Sequence, residues 1–130
     1  MVVPMLNQQR NRITPGQAGI SRERRKEART SILAFGQFVN RNFLTPPHVR
    51  LIGSKLQEVA LYIKSRGQKG IPRLMIMMPP RHGKSELCSR LFPAWMLGIH
   101  PDAQIILTSY GADLAVRNSR AVREIVESEH

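Results

Sequence analysis

The sequence predicts an α/β fold: a parallel βαβα unit with helices before it and an incomplete sheet. Two apolar runs, residues 74–78 and 104–110, are too short for buried helices and are typical of buried strands. Each is followed by a stretch with helical spacing, and this order favours a parallel pair with a right-handed crossover. Two parallel strands are too few to stand alone, so we expect a longer chain or another polypeptide to complete the sheet.

The turn after the first predicted strand has the residues of a phosphate-binding loop. Gly83 lets the backbone approach an anion, and the start of the next helix adds positive potential. Lys84 can reach the β- and γ-phosphates of a nucleotide, and the Ser85 hydroxyl can bind Mg²⁺. The full pattern has a glycine where Met78 stands, so a surface loop with an incidental lysine is the alternative. The strand–loop–helix context favours phosphate binding.

Residues 78–85, Met-Pro-Pro-Arg-His-Gly-Lys-Ser, also resemble the loop of a known ATPase family. They look like the ATPase loop of the large terminase subunit of tailed phages, which often lacks the first glycine. The resemblance spans about residues 43–126, including the segments 92–98, 106–111, 114–115 and 119–123. It implies a P-loop NTPase fold, ATP and Mg²⁺ as cofactors, and a motor that drives double-stranded DNA into a capsid.

The resemblance also assigns roles to single residues. It implies catalytic roles for Lys84 and Arg81, a metal contact for Ser85, and cofactor contacts for Pro80, Arg81, His82, Gly83, Lys84, Ser85, Glu86 and His48. Arg81 would stabilise charge on the γ-phosphate, although several terminases carry this arginine one residue earlier; an exposed arginine held by a carboxylate is the alternative. His48 stands about where terminases place a glutamine-type contact to adenine, and a polar helix-start residue is the simpler interpretation.

The carboxylates that ATP hydrolysis requires are not recognisable in this sequence. Terminases carry an adjacent Asp-Glu pair after an apolar strand; one carboxylate holds Mg²⁺ and the other polarises the attacking water. None of the nine acidic residues follows four apolar residues in a strand, and the acids of the terminase nuclease domain are absent. We therefore expect ATPase activity of the complete protein, whereas this chain alone binds nucleotide weakly at best and hydrolyses none.

The charge of the chain indicates a nucleic-acid partner. It carries 20 Lys and Arg against 9 Asp and Glu, a net charge of +11 and a pI near 11.3. The first thirty residues contribute +5 of this charge. They can lie on DNA or simply face solvent, and we favour the solvent-facing interpretation. For Arg117, Arg120 and Arg123 we favour the same interpretation, because Glu124 and Glu127 stand four residues after two of them.

The chain divides into a flexible basic tail, residues 1–27, and the N-terminal portion of a P-loop ATPase domain, residues 28–130. Apolar spacing predicts helices over residues 28–40, 48–64 and 112–127. The helix after the loop is expected to kink or restart at Pro93, since proline lacks the N–H that would bond to the preceding turn. Core candidates by spacing are Leu91, Phe92 and Trp95, and on the second helix Ile52, Leu56, Val59 and Ile63.

A terminase-like motor implies further partners: the small terminase subunit, the portal and other copies of itself in a ring, in the cytoplasm of an infected bacterial host. Two alternatives stay open, another P-loop ATPase acting on DNA and a truncated, non-catalytic basic DNA-binding fragment. The single cysteine, Cys88, excludes an internal disulfide and is expected to be a small core residue. No apolar run approaches the roughly 20 residues of a membrane span.

Overall fold

A computed structural model of the chain describes residues 15–128, with side chains described from Arg22 onwards. The helices of this part are, in chain order, α1 (Pro15–Thr30), α2 (Ile32–Val39), α3 (Pro47–Lys64), a π-helical segment (Glu86–Leu91), α4 (Phe92–Ile99) and α5 (Ala112–Glu127). α1 packs against α2, while α5 packs against the π-helical segment and α4. None of the described helices is both long enough and apolar enough to cross a membrane.

The predicted parallel βαβα unit is not present in residues 15–128, so the α/β prediction is wrong. Residues 74–78 and 104–110 form no strand, and no backbone hydrogen bond joins one run to the other. Their apolar side chains are largely uncovered, with Met75 82% and Ile106 87% exposed. An apolar run becomes a strand only where a neighbour supplies hydrogen-bond partners for its backbone. Both runs are instead connections between helices, without helix or strand structure.

Ser31 interrupts the helix that the sequence predicts over residues 28–40. Its backbone is extended, with φ −137° and ψ 125°, and its Oγ accepts a hydrogen bond from the Ala34 amide at 3.4 Å. A serine in this position caps the start of a helix, so α1 ends and α2 begins here. α1 reaches back to Pro15, inside the segment predicted as a tail; the rest of that segment, residues 1–14, lies outside the described residues.

One apolar cluster holds the helices together. Its buried members come from α2, α3, the π-helical segment and α4: Ile32, Val49, Leu56, Ala60, Leu87, Leu91, Trp95 and Met96. The indole Nε1–H of Trp95 donates to the Ala28 carbonyl at 2.8 Å and so joins α4 to α1. Leu91, 1% exposed, and Trp95, 4% exposed, confirm two predicted core residues, and Phe92 packs against the same cluster.

Gly36 allows α2 to approach the rest of the core closely. A Cβ added there would lie 2.7 Å from the Phe43 ring and 3.2 Å from Leu91. Real Cβ contacts are longer than this, so a larger residue would force the ring and the helix apart. Gly36 is therefore a packing requirement of the folded chain.

The helices predicted over residues 48–64 and 112–127 are confirmed by α3 and α5. On α3 the buried face is Val49, Gly53, Leu56 and Ala60, so the predicted face is only partly right. Ile63 is 41% exposed, because the neighbouring helices cover a different side of α3. On α5, Val122 is buried, and four other apolar side chains of the helix are half-buried: Leu114, Ala115, Ala121 and Ile125.

Candidate functional site

The candidate phosphate-binding loop is a tight turn that leads directly into a helix. Two of its residues have left-handed backbone conformations, Arg81 with φ 64° and Gly83 with φ 81°. Lys84 and Ser85 are already helical, and the first bond of the helix runs from the Leu87 amide to the Gly83 carbonyl at 3.0 Å. The amides of residues 84–86 precede that bond and therefore have no acceptor within the helix.

The loop is open to solvent on the side where an anion would approach. All side chains of residues 80–85 are exposed. A Cβ added at Gly83 would meet a single neighbour, Val49 Cγ2 at 4.0 Å. Glycine is thus favoured at this position by its positive φ and not by crowding. Free amides, a helix N-terminus and open space together make a surface suited to binding an anion.

Two cationic side chains of the loop are available to a ligand. Among the side chains of residues 22–128, neither Arg81 nor Lys84 has a carboxylate within ion-pairing distance. Glu86 instead pairs with Arg90 one turn further on, at 3.0 Å. Both partners of that pair are more than a third exposed, so it contributes about 1 kcal/mol or less. The alternative that a carboxylate holds Arg81 is not what the described residues show.

Ser85 is also free to contact a ligand. Its backbone is helical, with φ −65° and ψ −37°, and its hydroxyl makes no capping hydrogen bond. A hydroxyl at this point of the first turn is the group that a phosphate-bound Mg²⁺ takes from such a loop. The residues present therefore fit both a phosphate and its metal.

His82 and His48 come together although 34 positions separate them in the chain. His82 Nδ1 donates to the Pro80 carbonyl at 2.8 Å, because a carbonyl can only accept, and this leaves Nε2 directed elsewhere. The His48 ring, in the first turn of α3, lies edge-on to it with centroids 5.8 Å apart. The structure thus places His48 beside the loop, while a contact from His48 to adenine stays a prediction.

Cys88 lies one turn after Lys84 and packs against the core cluster. Burial raises the pKa of its thiol, and the positive charge of Lys84 lowers it again only in part. The thiolate is the nucleophilic form, so a raised pKa makes this cysteine unreactive at neutral pH. Its packing confirms the expectation of a small core residue.

The sequence predicts an interruption at Pro93 but not its form. The stretch before it, Glu86–Leu91, is π-helical, and the Phe92 amide bonds five residues back to the Leu87 carbonyl. α4 then begins at Phe92 with Pro93 in its first turn. A proline there removes a donor from the ladder, and a wider turn accommodates this loss, as single-turn π segments commonly do. The predicted restart is confirmed, and Pro93 was its only signal.

No protein-family model, curated protein or solved structure matches this chain. The structure brings seven loop residues, Pro80 to Glu86, together with His48 at one end of the helices. The functional interpretation therefore depends on the geometry of this loop and on the resemblance of residues 78–85.

Proposed function

We propose that this chain is the nucleotide-binding portion of an ATP-driven DNA-packaging motor of the terminase large-subunit type. The observation that carries the proposal is the turn at Gly83, whose positive φ leads into an exposed helix start that presents Lys84 and Ser85. The strand that the sequence predicts before the loop does not support it, since residues 74–78 form no strand and their backbone is unpaired. The argument is therefore restricted to the loop and the helix that follows.

Each residue of the loop has a role that follows from its position. The free amides of residues 84–86 donate to the oxygens of a phosphate group, and the Lys84 ammonium sits against the same charge. Ser85 contributes its hydroxyl to Mg²⁺, which neutralises phosphate charge when it is bound. Arg81 has no carboxylate partner among the described residues and stabilises charge on the γ-phosphate. His48 lies beside His82 of the loop, and the family resemblance gives it the contact to the adenine base.

Hydrolysis belongs to the complete protein under this proposal. None of the acidic residues of the sequence stands at the end of an apolar run, where a carboxylate for Mg²⁺ or for the attacking water would be placed. The 130-residue chain then binds nucleotide without turning it over. In the complete motor the partners are double-stranded DNA, the small terminase subunit, the portal and further copies in a ring, in the cytoplasm of an infected bacterium.

Replacement of Lys84 tests nucleotide binding directly. We expect Lys84→Ala to weaken the binding of a fluorescent ATP analogue, with Mg²⁺ present, by about tenfold or more, because a charge-assisted hydrogen bond contributes about 1.5–3 kcal/mol. Lys69→Ala is the matched control: it removes the same charge from another exposed loop and should leave affinity within about twofold. Equal affinity of the wild-type chain and Lys84→Ala would overturn the proposal. If the wild-type chain hydrolyses ATP with Mg²⁺ and Lys84→Ala does not, the claim that this chain alone is inactive is wrong.

The net charge of +11 favours one second candidate, a non-catalytic basic module that binds DNA without nucleotide. That candidate predicts salt-sensitive DNA binding that ATP leaves unchanged, together with no measurable affinity for the ATP analogue. The same titration therefore separates the two candidates.

A further inference from the structure

Four of the five positive charges between residues 22 and 29 of α1 lie along one side of the helix. At about 100° per residue, Arg22, Lys26 and Arg29 fall within an arc of about 60°, with Arg25 about 40° beyond it; these four residues form the basic stripe. The fifth, Arg24, lies on the opposite side, and Glu23 and Glu27 lie about 90° and about 130° from the centre of the arc. All these charged side chains are exposed, whereas Ala28 faces the core. The acidic residues thus lie between the stripe and Arg24.

No carboxylate neutralises the middle of this stripe. Among the described side chains, Arg22, Lys26 and Arg29 form no ion pair. The two glutamates stand four residues apart, between the stripe and Arg24, where they neighbour each other. The charges of the stripe therefore add over two turns of an exposed helix, a stronger local field than a surface of alternating charges gives.

The arginines of α5 show what a mixed surface looks like. Arg117, Arg120 and Arg123 spread over about 120°, and all three acidic residues of the helix fall within the same arc: Asp113, Glu124 and Glu127. The side chains do not form the expected ion pairs, but their charges cancel locally. Three cations with three anions make a surface of no net charge. The arginine-bearing side of α5 is therefore neutral, whereas the basic stripe of α1 is positive.

We propose that the basic stripe of α1 binds the phosphate backbone of duplex DNA. From Arg22 to Arg29 the helix rises about 10.5 Å, which is the axial distance covered by about three phosphates of one strand. Among residues 22–29 the stripe contains no apolar side chain that could insert into a lipid surface. This inference rests on the proposed function for the choice of DNA as partner, but it assigns the contact to a helix distinct from the nucleotide loop.

The experiment compares two triple variants with the same loss of charge. Arg22→Gln, Lys26→Gln and Arg29→Gln remove the three charges within the arc of about 60°. Arg25, which together with Arg29 lines the groove beside Trp95, is left unchanged. Arg117→Gln, Arg120→Gln and Arg123→Gln do the same on α5. Binding of the full chain to a fluorescent duplex of about 30 base pairs is followed by anisotropy over a range of salt concentrations, a series that reports the number of phosphates neutralised.

The stripe variant is expected to lose at least about tenfold in affinity and to lower the salt slope by about 2 to 3, because each neutralised phosphate contributes about 0.9. The α5 variant should change the slope by less than about 1. Equal losses in both variants would overturn the inference, since the contact would then follow total charge. An unchanged slope in the stripe variant would overturn it as well. Circular dichroism of each variant verifies that the helices are intact.

Two further arms separate this inference from the proposed function. The stripe variant should bind the ATP analogue as the wild-type chain does, and Lys84→Ala should retain the wild-type salt slope for DNA. If Lys84→Ala leaves nucleotide affinity unchanged while the stripe variant loses affinity for DNA, the proposed function fails. The inference that the basic stripe binds DNA is then still supported. If the stripe variant loses binding to phosphatidylglycerol vesicles but not to DNA, the partner is a membrane and the inference fails.

Discussion

The buried helices and the two connections, residues 74–78 and 104–110, have similarly apolar sequences, but only the helices are buried. Leu91 and Trp95 lie in the core, whereas Met77 is 85% exposed and Ile106 is 87% exposed. A helix satisfies its own backbone and needs only one covered side, while an extended segment needs a partner for its backbone as well. The difference teaches that apolar content marks what can be buried, and that a suitable neighbour decides what is buried.

The first connection still shows the alternation of an extended chain. Leu74, Ile76 and Met78 are half-buried, and Leu74 packs against the core cluster, whereas Met75 and Met77 between them are exposed. Successive side chains of extended backbone point to opposite sides, so one side rests on the helices and the other faces solvent. The following predictions test this contrast between core and connection, from the largest expected effect to the smallest.

The largest effect is expected from Leu91→Ala. Leu91 is 1% exposed, and its truncation leaves a cavity between α2 and the π-helical segment, at a cost of about 2–5 kcal/mol in the free energy of unfolding. Met77→Ala removes a side chain of similar size from the exposed side of the connection and should change stability by about 0.5 kcal/mol or less. Urea denaturation measures both, and similar losses would contradict the contrast.

A smaller effect is expected where Trp95 joins α4 to α1. Trp95→Phe removes the indole N–H and leaves the Ala28 carbonyl unsatisfied in a buried position, which costs about 1–3 kcal/mol. Tyr110→Phe, in the bend after the second connection and 98% exposed, should cost close to nothing. Thermal denaturation of the two variants gives the comparison. A stable Trp95→Phe variant would mean that α1 is not held to α4 by this bond.

The smallest effect concerns Cys88, one turn after the exposed Lys84. Burial raises the pKa of its thiol, so at about pH 8 iodoacetamide should alkylate the folded chain several-fold more slowly than the urea-unfolded chain. Because the folded thiol stays protonated while the unfolded one ionises, stability declines as the pH rises from the unfolded towards the folded pKa. Cys88→Ala should remove this decline. Equal alkylation rates would show that the helix after the loop leaves its core side uncovered.

The candidate site was predicted from two kinds of signal. Gly83, Lys84 and Ser85 were predicted from the local pattern, and the structure gives Gly83 the positive φ that such a turn uses. Pro80, Arg81 and His82 were predicted from the family resemblance, and nucleotide binding by the loop stays a prediction. The sequence indicated less clearly that the start of α3 lies beside the loop. His48 was placed there by family resemblance alone, and the position of Val49 near Gly83 had no signal in the sequence.

The sequence by itself determined α3 and α5, with their bounds to within a residue, and the restart at Pro93, whereas the predicted helix over residues 28–40 divides at Ser31. Their hydrogen bonds are local, so spacing and breakers along the chain are enough to specify them. Only the tertiary structure decided that residues 74–78 and 104–110 form no sheet, that Gly36 is a close contact, and that the basic stripe of α1 is exposed. Strand pairing, close packing and exposure depend on contacts between residues that are far apart in the sequence. No local sequence pattern contains that information.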